Sequence, residues 1–169
     1  MKGILFLLLV FLLQSCWRPE REPQPSTEYE PVLMTRSEME RSIEFKPSRP
    51  LKSTGKIYFK DNYLFIVENY HGVHIINNTN PASPTPEGFI VVPGCVDVAM
   101  KGEVMYIDNA VDLLAIDIRA LPAIKIAQRV KNVFPELLPP DLQTLPKALT
   151  AGSRPENTLI VEWTKKQQD

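Results

Sequence analysis

One apolar pattern occurs twice between residues 56 and 117, and it constrains this chain more than any other feature. Reading KIYFKDNYLFIVENYHGVHIIN against VDVAMKGEVMYIDNAVDLLAID sets Lys60 on Lys101, Leu64 on Met105, Phe65 on Tyr106 and Ile66 on Ile107, forty-one residues apart. After a single-residue gap, Val73, Ile75, Ile76 and Asn77 fall on Leu113, Ala115, Ile116 and Asp117, forty residues apart. A repeat of about 40 residues built from short apolar runs has the size of one propeller blade of four strands. The expected fold class is therefore all-β, with two tandem four-stranded propeller-like blades at about 56–95 and 96–131.

Each copy reads as a run of strands. Residues 57–60 and 63–67 flank the turn signal Asp61-Asn62 and predict a hairpin, with further strands at 72–77 and 88–92. The second copy predicts strands at 96–100, 104–107, 113–118 and 124–130, with its turn at Lys101-Gly102-Glu103. Several of these runs are apolar on both faces, as a sheet sandwiched between two neighbours requires; a lone sheet in water would alternate.

The strand segments Val73-His74-Ile75-Ile76-Asn77 and Leu113-Leu114-Ala115-Ile116-Asp117 resemble the LVIVD repeat of bacterial secreted and surface β-propellers. Gly72 before the motif, Asn80-Pro81 after it and Pro93-Gly94-Cys95-Val96-Asp97 at the start of the next copy resemble lipoproteins of this kind from Bacteroidetes. The resemblance covers residues 51–133 and implies a cell-envelope binding or scaffold module. His74 and Asn77 depart from the named motif.

The N-terminus carries an address. Lys2 precedes a ten-residue apolar run from Ile4 to Leu13, too short to cross roughly 30 Å of hydrocarbon and of the length of a secretory signal. The run ends in Leu13-Gln14-Ser15-Cys16, which resembles the lipobox of bacterial lipoproteins. That resemblance implies removal of residues 1–15 as a signal peptide and lipidation of Cys16, whose thiolate is the soft nucleophile such a thioether link needs. The partner so implied is the membrane, at the bacterial outer membrane or cell surface. An ordinary signal peptide followed by a coincidental cysteine is the plainer alternative.

From 16 to 50 the chain alternates charge and proline, a composition that buries too little apolar area to offset its chain entropy. It reads as a Pro-rich tether. Inside it, Thr35-Arg36-Ser37-Glu38 is a capping box, and Met39 and Ile43 fall four apart, so one short helix is expected at about 36–43. Residues 134–169 read as a proline-stiffened loop and one terminal strand at about 158–163, which could open a third blade. Propellers have four to eight blades, and even four would need about 160 residues, more than remain after a cut before Cys16. An incomplete propeller is the expectation, the N-terminal part of a longer one, either as a truncated gene product or as a chain that finishes its ring with a partner.

Composition narrows the function classes. With 44% hydrophobic and 23% charged residues the chain resembles an ordinary globular domain. A net charge of -1 offers no field for phosphates, so nucleic acid is not an expected partner. No glycine-rich phosphate loop, G-x-S-x-G, H-E-x-x-H, C-x-x-C or calcium-loop pattern occurs. No cofactor, metal or catalytic residue is assigned. His71 and His74 are the only histidines, conceivable as a metal pair but read as one surface and one part-buried side chain. Asp97, Asp108, Asp112 and Asp117 gather in the second copy. They suit either cation binding and paired-carboxylate chemistry on a glycan or, as favoured, the capping of turns and strand starts. Cys95 reads as a buried free thiol. Tyr58, Phe59, Tyr63, Phe65 and Tyr70 offer an aromatic face for sugars or peptides, with packing between blades as the alternative. Protein or glycan ligands and self-association through uncovered blade faces complete the expected partners.

Overall fold

Apolar strand runs separated by two- or three-residue turns favour antiparallel pairing with their neighbours, and most of the chain folds as a succession of antiparallel hairpins. The computed structural model describes residues 26–167; the expected signal peptide, Cys16 and the start of the expected tether lie outside the described residues. Eleven strands and one helix follow in the order β1 (Tyr29–Thr35), α1 (Arg36–Arg41), β2 (Glu44–Lys46), β3 (Thr54–Lys60), β4 (Tyr63–Glu68), β5 (Gly72–Asn77), β6 (Thr85–Val91), β7 (Val98–Lys101), β8 (Val104–Asn109), β9 (Asp112–Asp117), β10 (Lys125–Val130) and β11 (Thr158–Lys165). The protein is all-β in class, built on three antiparallel sheets with no closed barrel among them.

Sheet 1 has the order β2-β6-β5-β4-β3, sheet 2 the order β10-β9-β8-β7, and β1 pairs with β11 in a two-stranded sheet 3. The one-residue gap between the copies lies in a turn. Three residues link β4 to β5 and two link β8 to β9, and each turn bends through a left-handed residue, Tyr70 at φ 69° and Ala110 at φ 55°.

Pairing fixes which side chains share a face. In sheet 1, Tyr58 lies opposite Phe65, Phe65 opposite Ile75, and Val67 opposite Val73, which lies opposite Ile90. In sheet 2, Val98 lies opposite Ile107, Ile107 opposite Leu114, and Met105 opposite Ile116. These two faces bury one another in a single core. Each fully buried side chain there contributes about 1.5–3 kcal/mol, so this contact dominates the stability of the pair. The faces that meet are not equivalent. Met105 of sheet 2 is the repeat counterpart of Leu64, on the far side of sheet 1, while the counterpart of Phe65 is Tyr106, on the far side of sheet 2. The sheets therefore stack in the same sense, the forward face of one (Phe65) on the backward face of the next (Met105).

Three sequence expectations change. Sheet 1 has five strands rather than four, because Phe45 pairs opposite Ile90 and its ring occupies the space left open by Gly88. Part of the expected tether, Tyr29–Thr35, is a strand, with Pro31 tolerated because a two-stranded sheet is all edge. The terminal strand does not open a third four-stranded sheet. It pairs with β1, and its Val161 packs with Met39 and Ala110 at the turn end of sheet 2. Helix α1 begins at Thr35, whose Oγ1 accepts from Glu38 N at 3.2 Å while Glu38 Oε2 accepts from Thr35 N at 2.9 Å. It ends before Ile43, which packs on the main core instead. No helix among the described residues is long and apolar enough to cross a membrane.

Candidate functional site

The forward face of sheet 2 has no sheet on it. Residues 134–138 cross above it and leave a groove of about 470 Å3 walled by Ala99, Tyr106, Asp108, Leu113, Phe134 and Leu138. That crossing segment is held by backbone and side chain together. Phe134 N donates to Val111 O at 3.0 Å, Trp163 Nε1 donates to Leu137 O at 3.1 Å, and Glu136 pairs with the buried Arg154. A groove of this size, mostly apolar and with few polar groups, is the usual form of a small-ligand site.

Asp108 is the buried carboxylate on its wall, with 8% exposure. Burial pushes its carboxyl up to about 6, against the pull of the Val96 and Asp97 amides that it accepts at 2.8–3.1 Å. A group with a raised folded-state pKa favours the fold below its unfolded value and loses that contribution as pH rises through the folded one. Between roughly pH 4 and 6 this side chain therefore opposes stability increasingly, by on the order of 3 kcal/mol at completion. A carbon-detected NMR titration is expected to place the Asp108 midpoint near 6. A midpoint near 4, the ordinary aspartate value, would contradict a desolvated site.

The other aspartates do not join it. Asp97 is exposed, pairs with Lys56 at 2.6 Å and accepts from Val98 N at 2.6 Å, at the first residue of β7. Asp117 is paired with Arg119 and accepts its amide at 3.1 Å; those contacts hold its carboxyl down at about 2. Asp112 is fully buried between Arg36 and Arg129. No group of three metal-ligating side chains exists among the described residues.

The two histidines also part. His71 is half-buried in the turn after β4, its Nε2 3.6 Å from Glu162. His74 is buried on the backward face of sheet 1, with Nε2 2.6 Å from Glu68 Oε2 and its ring edge-on to Phe89 at 4.7 Å. Arg49 completes this cluster, 3.0 Å from Glu68 Oε1 and 4.0 Å above the Phe89 ring. Burial works to raise Glu68, but His74 and Arg49 outweigh it and hold the carboxyl below the usual range. Sequence reading missed Glu68 and Arg49; the available signal was a charge inside the apolar run Phe65-Ile66-Val67-Glu68, which needs a partner when buried. Cys95 is buried with its Sγ 3.9 Å from Glu68 O, and desolvation pushes the thiol up, the opposite of an activated nucleophile. The five aromatics do not form one face. Phe65 is in the core, with Tyr58 and Tyr63 against it, while Phe59 projects from the opposite side and is 60% exposed.

Comparison of the chain with models of protein families, with curated proteins and with solved structures returns no match.

Proposed function

We propose that this protein is a lipid-anchored binding or scaffold module of the bacterial cell envelope, built from β-propeller-type repeats and akin to the LVIVD lipoproteins that its strand motifs resemble. The observation that carries the repeat reading is the same-sense stacking of sheets 1 and 2, the relation between neighbouring blades, with Phe65 and Tyr106 on corresponding forward faces. The groove on the forward face of sheet 2 suits a ligand with an apolar part and a donor for Asp108. In the anchored form Cys16 carries the acyl chains, and the folded part stands at the outer membrane or cell surface.

The anchor is tested by metabolic labelling. Cys16→Ala is expected to abolish incorporation of radiolabelled palmitate and leave the precursor uncut. Labelling that persists in this variant, or a chain cut elsewhere and released to the medium, would remove the lipobox reading.

One observation favours a second reading. A carboxyl raised to about 6 in an apolar groove has the character of a general acid, which would make the protein a glycan-active enzyme. A glycan array combined with a hydrolysis screen separates the two. Turnover that disappears in Asp108→Asn would replace the scaffold reading, whereas glycan retention without turnover fits it.

A further inference from the structure

Three carboxylates are buried among the described residues, Glu68, Asp108 and Asp112, and two of them meet their counter-charge inside the chain. Glu68 has the Arg49 guanidinium and the His74 ring against it, and Asp112 lies between Arg36 and Arg129. Asp108 differs. Among the described residues no basic nitrogen lies within ion-pair distance of it, the one neighbouring charge that acts on it is the like charge of Asp97, and it is held by the Val96 and Asp97 amides. A buried charge calls for a partner of opposite sign, and an ionised carboxylate has acceptor positions beyond those that two amides use.

The second copy of the repeat has room for that partner. Asp108 is the counterpart of Val67, and Ala99 of Tyr58. In sheet 1, Val67 and Tyr58 belong to the forward face that closes the core; in sheet 2 the same positions carry a carboxylate and a methyl group, and both line the groove under residues 134–138. The smaller side chain leaves volume and the acid gives that volume a charge. The groove is lined by three acidic residues, Asp97, Asp108 and Glu136, and by no lysine, arginine or histidine among the described residues. Lys56 pairs with Asp97 and Arg154 with Glu136, so Asp108 is the acid left without a cation.

We infer that the groove takes a small organic cation, a primary amine on an apolar body, with its ammonium at Asp108 and its body against Tyr106, Leu113 and Phe134. This rests on the reading of the groove as a ligand site and adds the charge of the ligand. An ammonium donates a charge-assisted hydrogen bond to Asp108, and the faces of aromatic walls such as Tyr106 and Phe134 attract cations. The roof selects a free small molecule over the side chain of another protein. It is fixed at Phe134, Glu136 and Leu137, and the space beneath it, about 470 Å3, is of small-ligand size.

Binding is linked to protons. The cation pairs with the ionised carboxylate, so affinity falls as pH drops through the free-state value of about 6, by about tenfold from pH 7 to pH 5. The other titratable groups around Asp108 are Asp97 just before β7, Tyr106 on its own strand, Glu136 on the roof and the buried Cys95 thiol, which desolvation pushes up; β9 presents Leu113 to the groove.

Isothermal titration calorimetry of the full chain in detergent, with titrations into detergent alone subtracted, compares the amines tryptamine and phenethylamine with their neutral alcohols, tryptophol and phenethyl alcohol. At pH 7 each amine is expected to bind about tenfold more tightly than its alcohol, the difference between a charge-assisted and a neutral hydrogen bond. At pH 5 the amines are expected to bind about tenfold more weakly than at pH 7. Asp108→Asn, its fold checked by circular dichroism, is expected to bring each amine down to the level of its alcohol. Alcohols that bind as well as the amines, or amine affinities equal at the two pH values, would overturn the cation and leave the groove standing as a ligand site; both are read on the unaltered chain. A folded Asp108→Asn protein that keeps the preference for amines would overturn it too. Absence of binding by all four compounds would overturn the groove reading together with the inference.

Discussion

Asp112→Ala is expected to cost about 3–5 kcal/mol of folding stability, the range for removing one partner of a buried charge group. The Asp112 side chain has no exposed surface and gathers three donors: Arg36 Nη1 on both oxygens at 2.9 and 3.1 Å, Arg129 Nη1 at 2.8 Å and the Asn132 amide at 3.0 Å. Truncation leaves two guanidinium groups near each other in a part-buried place with only the shared Glu40, 3.7 Å from Arg36, to offset them, and strands an amide. Against a total stability of about 5–15 kcal/mol for a domain, that loss is a large fraction of the whole. Burial works to raise the Asp112 carboxyl, but the Asn132 amide and the two arginines hold it below the usual range, so its contribution is present above the unfolded pKa and is lost as pH falls through the lower folded one. Arg36→Ala is expected to cost less, because Arg36 is a quarter exposed and Arg129 still compensates the carboxylate. Guanidinium denaturation decides the matter. A loss below about 1 kcal/mol for Asp112→Ala, the level of an exposed ion pair, would show that the network is not desolvated.

That network explains what sequence reading reaches and what it does not. The hairpins of sheets 1 and 2 were legible because their determinants are local. Apolar runs of strand length flank turn residues able to adopt left-handed geometry, and Asp61 and Gly102 do so at φ 53° and 56°. The capping box at Thr35 was legible for the same reason. Arg36 is different: it starts a helix in a charged, proline-rich stretch and finds Asp112 far along the chain, and no local pattern encodes that pairing. Sheet 3 has the same character. Tyr29–Thr35 carries a proline and two exposed side chains, reads as tether, and becomes a strand only because Thr158–Lys165 arrives beside it from the other end of the chain. At the site, the four clustered aspartates were visible as a group and their separation was not, since neighbours in sequence on a strand point to opposite faces. Only Asp108 reaches the groove as a buried carboxylate, because it lies on the forward face with Tyr106 and opposite Leu113. The segment at 134–138 that roofs the groove reads as loop in the sequence, and its anchoring through Trp163 and Val111 depends on the fold around it.

Gly72→Ala is expected to be the most disruptive single-methyl change in the molecule. Gly72 opens β5 opposite Val91 at φ 152°, a region that side-chain-bearing residues rarely adopt. A Cβ built there would lie 2.0 Å from the Ile90 carbonyl oxygen and 2.7 Å from Phe89 Cζ. Neither neighbour can yield cheaply: the first is backbone inside the β5/β6 ladder, and the second is a fully buried ring against His74. Backbone strain of about 1–3 kcal/mol and overpacking of about 1–3 kcal/mol then add to a loss of several kcal/mol. Gly102→Ala separates the two causes. It sits at φ 56° in the β7/β8 turn with nothing within 4 Å of its Cβ position, so it carries the conformational cost alone, about 1–2 kcal/mol. Gly152→Ala has neither constraint and is expected to be neutral within about 0.5 kcal/mol. Thermal melts of the three variants should therefore rank Gly72, Gly102, Gly152 from largest to smallest loss. A Gly72→Ala protein as stable as Gly102→Ala would mean that β5 and β6 can separate at this point without cost, and that the forward face of sheet 1, which continues through Val73 and Ile90, is held by packing rather than by its ladder.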